Sequence, residues 1–143
     1  MHVLKKHANT LFLLAGGLML LAIGLAITLS PEGFYASSGI TLGGDPSLTS
    51  ELRAPAGMLV AAGCVMLISL PLESFRQHAL FASALVYLPY GVARLFGFTA
   101  EGLPNGNMVL AAAIEIVFGI ASLVMLRRTV SGATQSAKVT HAA

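Results

Sequence analysis

Charge is what this chain has least of. Asp, Glu, Lys and Arg make up 10% of its 143 residues, and apolar residues make up 56%. Soluble domains carry about 25% charged residues, so there are too few here to cover a water-facing surface. The composition excludes an ordinary soluble domain and points to an integral membrane protein of one domain. Tryptophan is absent and Cys64 is the single cysteine, so a disulfide within the chain is impossible. Cys64 lies in an apolar run without a Cys-x-x-Cys partner and reads as a small packing residue. His2, His7, His78 and His141 are scattered, and no His or Cys group has metal-ligand spacing. There is no Ser-His-Asp set, glycine-rich phosphate loop or Gly-x-Ser-x-Gly elbow. Neither a metal nor a cofactor is expected. The net charge of +2 arises mainly at the two ends, which fits membrane orientation rather than a nucleic-acid partner.

Long apolar runs are what the chain does have. A membrane helix needs about 20 mostly apolar residues, and four stretches qualify: about 10–29, 54–72, 79–98 and 108–126. The fold expected is an all-α integral membrane four-helix bundle. The first stretch follows Lys5 and Lys6 but is too long for the apolar core of a signal peptide, about 7–15 residues, so it reads as a retained helix. Ser30-Pro31-Glu32-Gly33 closes it as a helix stop. Lys5, Lys6, Arg76, Arg127, Arg128 and Lys138 fall on one side of the four spans, which places both termini in the cytoplasm by the positive-inside rule. Glu32, Asp45, Glu51 and Glu101 fall on the opposite, outer side. The long link 31–53 carries Phe34 and Tyr35 and reads as an ordered surface loop, with an interfacial segment or a lid as alternatives. The tail 129–143, rich in Ser, Thr and Ala, reads as flexible and cytoplasmic.

Helices in lipid associate by close packing of small residues. Gly17 and Gly24 form one such seam, Gly57, Ala61 and Cys64 a second, and Ala112, Gly119 and Ser122 a third around Glu115. In the third span Ser83, Tyr87, Tyr90 and Arg94 recur at three- and four-residue steps and line one helical face. Pro89 lies among them, where it removes a backbone donor.

Arg94 and Glu115 stand inside apolar spans, where a charge costs about 2.5–3.5 kcal/mol on insertion scales. At about 1.5 Å rise per residue, Arg94 lies roughly 6 Å and Glu115 roughly 12 Å inside the outer ends of their spans. The short loop between these spans makes them antiparallel neighbours, so an Arg94–Glu115 ion pair in the outer half is expected. Tyr87 and Tyr90 are candidates to complete the carboxylate's hydrogen bonds, and Glu51 or Arg53 to join from above. Against this, Glu51 and Arg53 also fit a solvated helix start, Arg94 can snorkel to headgroups, and an ion pair can be purely structural.

Glu51-Leu52-Arg53-Ala54 with Gly57, Gly91-Val92-Ala93-Arg94, Gly102-Leu103-Pro104 and Glu115 together resemble the small bacterial membrane proteins of domain-of-unknown-function family 4345. That group is similar in layout to DoxX-like four-helix membrane proteins. The resemblance runs from about Leu11 to Arg128. It implies four helices, a bacterial inner membrane and a polar cluster of Glu51, Arg53, Arg94 and Glu115, without a reaction.

Three functions compete on these residues. The first is a membrane protein that binds a lipid- or quinone-like hydrophobic molecule, or assists a membrane partner or a second copy of itself. The second is a proton-coupled transporter working through Glu115, although exporters of this size carry their acid in the first helix, which here has none. The third is an enzyme on a lipid-like substrate, with Glu115 as acid or base and Tyr87 or Tyr90 assisting.

Overall fold

The structure is a computed structural model that describes the backbone of residues 2–140 and the side chains of residues 7–131. The side chains of Lys5, Lys6 and Lys138, and all of His141, lie outside the described residues. The elements are α1 (His2–Leu29), a short α2 (Pro31–Ala36), α3 (Pro46–Ile68), a 3-10 turn (Glu73–Phe75), α4 (Arg76–Glu101) and α5 (Gly106–Thr140). No strand occurs among the described residues. Four of these helices are long and apolar enough to cross a membrane, and the fold is an all-α membrane bundle.

The helices differ from the expected spans mainly at their ends. The second long helix begins at Pro46 rather than near Ala54. The Asp45 side chain accepts from Ser47 N at 2.8 Å and Leu48 N at 3.4 Å, and Pro46 occupies the first turn. An aspartate cap followed by proline is a strong start signal, and it outweighs the polar sequence that follows it. Pro55 therefore sits inside α3. At the other chain end the helix runs past Thr129 to Thr140, and residues 141–143 lie outside the described residues.

The bundle is built from two intimate pairs, α1 with α3 and α4 with α5, with fewer contacts between the pairs. Glycine sets the first pair. A Cβ on Gly63 would lie 2.8 Å from the Gly17 carbonyl oxygen and 2.9 Å from Leu21 N, so the two backbones touch. Gly24 meets the Ala56 carbonyl oxygen in the same way. In the second pair a Cβ on Gly119 would stand 3.0 Å from Leu88 N. The Gly17–Gly24 seam is thus in contact, and Ala112, Gly119 and Ser122 are all buried. The Gly57–Ala61–Cys64 seam is not: Gly57 and Ala61 are exposed, and α3 packs through Ala56, Leu59, Ala62, Gly63 and Met66. Small residues occur on both faces of α3, and the face that matches Gly17 and Gly24 is the one used.

The two pairs are joined at mid-height. The Tyr87 hydroxyl donates to the Gly16 carbonyl at 3.0 Å. Phe118 stacks on Phe12 and packs against Tyr87, with ring centroids 5.0 Å apart in both cases. Toward the chain ends, Ser83 and Ser122 share a buried hydrogen bond of 2.7 Å. The Ser122 hydroxyl also donates to Phe118 O, so its single proton is committed and Ser83 is the donor between them. Leu11, Met58, Phe81, Phe96, Val117 and Ile120 all face outward. Water-soluble monomers rarely expose so much apolar surface, whereas a lipid-facing bundle requires it.

Candidate functional site

α4 and α5 run antiparallel with Gly91 against Ile116, which brings Arg94 and Glu115 level across the seam. Arg94 Nε lies 2.9 Å from Glu115 Oε2 and 3.1 Å from Oε1. Arg94 Nη1 points at the Met108 sulfur at 3.2 Å, a weak acceptor. The Arg94 side chain is 33% exposed and that of Glu115 15%. The carboxylate is the less accessible partner, as its shorter reach and greater depth require.

The pair forms one wall of a cavity of about 430 Å³. Ile23 and Ile27 of α1, Leu59 of α3 and Val86 of α4 supply apolar walls, and Tyr90 lies beside Arg94. Phe34 and Tyr35 of α2 pack against the core and line the same space. The 31–53 link is therefore more than a surface loop: its short helix covers one end of the cavity. Burial pushes the Tyr35 phenol up from its usual range, with the Arg94 guanidinium pulling the other way, so the phenol remains a neutral donor at pH 7. The cover is held to the α4–α5 loop, because Asn105 Nδ2 donates to the Ser38 carbonyl at 2.6 Å. Asn105 Oδ1 in turn accepts from Met108 N at 3.2 Å and caps α5.

Four of the six residues singled out from the sequence, Tyr87, Tyr90, Arg94 and Glu115, line this cavity. Tyr87 spends its hydroxyl on Gly16 rather than on the carboxylate. Glu51 and Arg53 stay outside. Glu51 is exposed on α3. Arg53 is also exposed, and its Nε donates to the Thr28 carbonyl at 3.0 Å. It thereby satisfies one of the orphan acceptors at the end of α1. A guanidinium about two helix turns past the Asp45 cap reaches that helix end more easily than it reaches a carboxylate across the bundle.

Three contributors were not evident from spacing: Tyr35, Met108 and Asn105. An Asn-Gly step just before the last apolar run is a turn and cap signal, and it would have located Asn105. Nothing local marks Met108 as the neighbour of Arg94. Among the described residues no group of three or more His, Cys, Asp or Glu stands close enough to hold a metal ion.

Four apolar helices around a partly buried ion pair and a covered apolar cavity define a small multi-pass membrane protein with an intramembrane polar site. The chain belongs to the family described as "Domain of unknown function (DUF4345)", which matches residues 8–126. Comparison with curated proteins and with solved structures finds no match.

Proposed function

We propose that this protein binds a lipid- or quinone-like hydrophobic molecule in the cavity between its four long helices, alone or on behalf of a membrane partner. The observation that carries this reading is the combination of apolar walls with a polar end formed by Tyr90, Arg94 and Glu115. Ligand pockets characteristically have that make-up, with volumes of about 300–1,000 Å³. On this reading the polar end lies in the outer half of a bacterial inner membrane, with both chain termini in the cytoplasm. On the same reading the four-helix layout is DoxX-like, an analogy of fold that carries no function. A proton-coupled transport role for Glu115 has less support, because both carboxylate oxygens lie within hydrogen-bond distance of Arg94 Nε.

Native mass spectrometry of gently extracted protein tests the reading. The expected result is an adduct of defined mass that is lost when Ala111→Phe fills the cavity wall. Protein that carries no adduct, and acquires none from a total lipid extract, would reject it.

A further inference from the structure

We infer that the cavity selects a ligand with a neutral head whose oxygen accepts hydrogen bonds, carried on an apolar body, and discriminates against anionic and cationic heads. This rests on the ligand-binding reading above and specifies its chemistry.

The first ground is charge. Among the described residues Arg94 and Glu115 are the only formally charged ones that line the cavity, and they are paired at 2.9 and 3.1 Å. Their charges cancel locally. An anionic head would meet the Glu115 carboxylate, and a cationic head would meet Arg94, with no spare counter-charge among the lining residues. In a low-dielectric setting an uncompensated ion is strongly disfavoured, whereas a neutral polar group requires only hydrogen bonds.

The second ground is the balance of donors. A guanidinium has five N–H donors and no acceptor. Arg94 uses Nε on the carboxylate and one Nη on a thioether, so its remaining N–H groups can be met only by an acceptor. Tyr90 and Tyr35 line the same end, and neither phenol hydroxyl bonds to another described residue of the chain. The residues that carry these unused donors border the same cavity, beside a pair that contributes no net charge. A carbonyl or ester oxygen meets that demand; a hydrocarbon without a polar atom does not.

The third ground is size. A cavity of about 430 Å³ stands toward the low end of ligand pockets, which suits one ring system or one chain.

Photolabelling with a chain-matched set of alkyl-diazirine probes tests this on the full-length protein in nanodiscs. The set comprises a methyl ester, a carboxylate used at a pH where it is ionised, a trimethylammonium head and a plain hydrocarbon. Labelled residues are mapped by peptide mass spectrometry. The ester is expected to label cavity residues about tenfold more efficiently than either charged probe or the hydrocarbon. In Glu115→Gln the guanidinium loses its counter-charge, and the preference is expected to move to the carboxylate by about the same factor. Tyr90→Phe keeps the charges and should lower ester labelling about threefold without changing the hydrocarbon.

Carboxylate labelling equal to or above ester labelling in the unaltered protein would overturn the inference and leave a hydrophobic-ligand site standing. A Glu115→Gln variant that folds and keeps the ester preference would overturn its electrostatic basis. Should that variant fail to fold, the head-group comparison in the unaltered protein and the Tyr90→Phe result decide. Absence of cavity labelling by every probe would remove the ligand-binding reading itself.

Discussion

Among the described residues, the half of the bundle nearer the chain ends is tied by paired hydroxyls, and the half nearer α2 and the α4–α5 loop holds a cavity. Ser83 and Ser122 in the first half, and Tyr87 where that half meets the cavity, are buried, and each hydroxyl has a partner within the bundle. In the second half Tyr35, Tyr90 and Arg94 border open volume and retain unused donors. Both halves belong to the same helices, and α4 carries a continuous polar stripe from Ser83 to Arg94. The stripe changes role along its length. Where the opposing helix offers a serine or a bare glycine carbonyl, polar groups lock helices together. Where the opposing residues are Ile23 and Leu59, the polar groups are left facing a cavity.

The widest separation between the halves should come from packing changes. Gly63→Leu drives a side chain into the α1 backbone, and a loss of about 3 kcal/mol or more is expected from denaturant titration in detergent. Gly57→Leu, on the outward face of the same helix, should stay within about 0.5 kcal/mol. Comparable losses from the two would mean that α3 packs through its other face.

Next in size is the ion pair. Arg94→Ala should cost about 2 kcal/mol, less than a fully buried pair because its guanidinium is partly exposed. A cycle with Glu115→Gln should return a coupling of about 1 kcal/mol. Additive effects would show that the charges act independently.

The two tyrosines bring the comparison down to single hydroxyl groups. Tyr87→Phe removes the bond to Gly16 and should lower stability by about 1 kcal/mol. For Tyr90→Phe a change below about 0.5 kcal/mol is expected, since no intramolecular bond is lost. A reversal of that order would transfer the locking role to the cavity end. Asn105→Ala should have little effect on global unfolding, but it should raise amide exchange in residues 31–44, because it frees the cover at Ser38.

Much of this was legible in the sequence, for identifiable reasons. Hydropathy located the four helices because lipid demands long apolar runs. Arg94 and Glu115 found each other because an unpaired charge is so costly in lipid. Tyr87 and Tyr90 lay on the correct face because helical periodicity decides faces, but periodicity does not choose acceptors, and Gly16 could not be foreseen from it. Hydropathy alone puts the start of the second span near Ala54, whereas the Asp45-Pro46 cap starts the helix at Pro46. For Arg53 and Glu51 the sequence offers only their side of the bundle and a family resemblance as reasons to join the cluster, and neither fixes a partner. Arg53 instead answers a carbonyl at the end of α1, a contact set by tertiary geometry. The outward seam of α3 shows the same gap: small residues permit contact, and only complementarity with a neighbour determines which of them make it.

The backbone-to-backbone contact of Gly63 with Gly17, repeated by Gly24 on Ala56, has a mechanical consequence. Two rods touching at such short range cannot slide or part without losing that fit, and α4 and α5 are clasped nearly as closely. Any swelling of the interior must then open the looser crevice between one clasped couple and the other. Tyr87, bonded across that crevice at mid-height, would serve as the fulcrum about which the loop end widens while the opposite end stays shut.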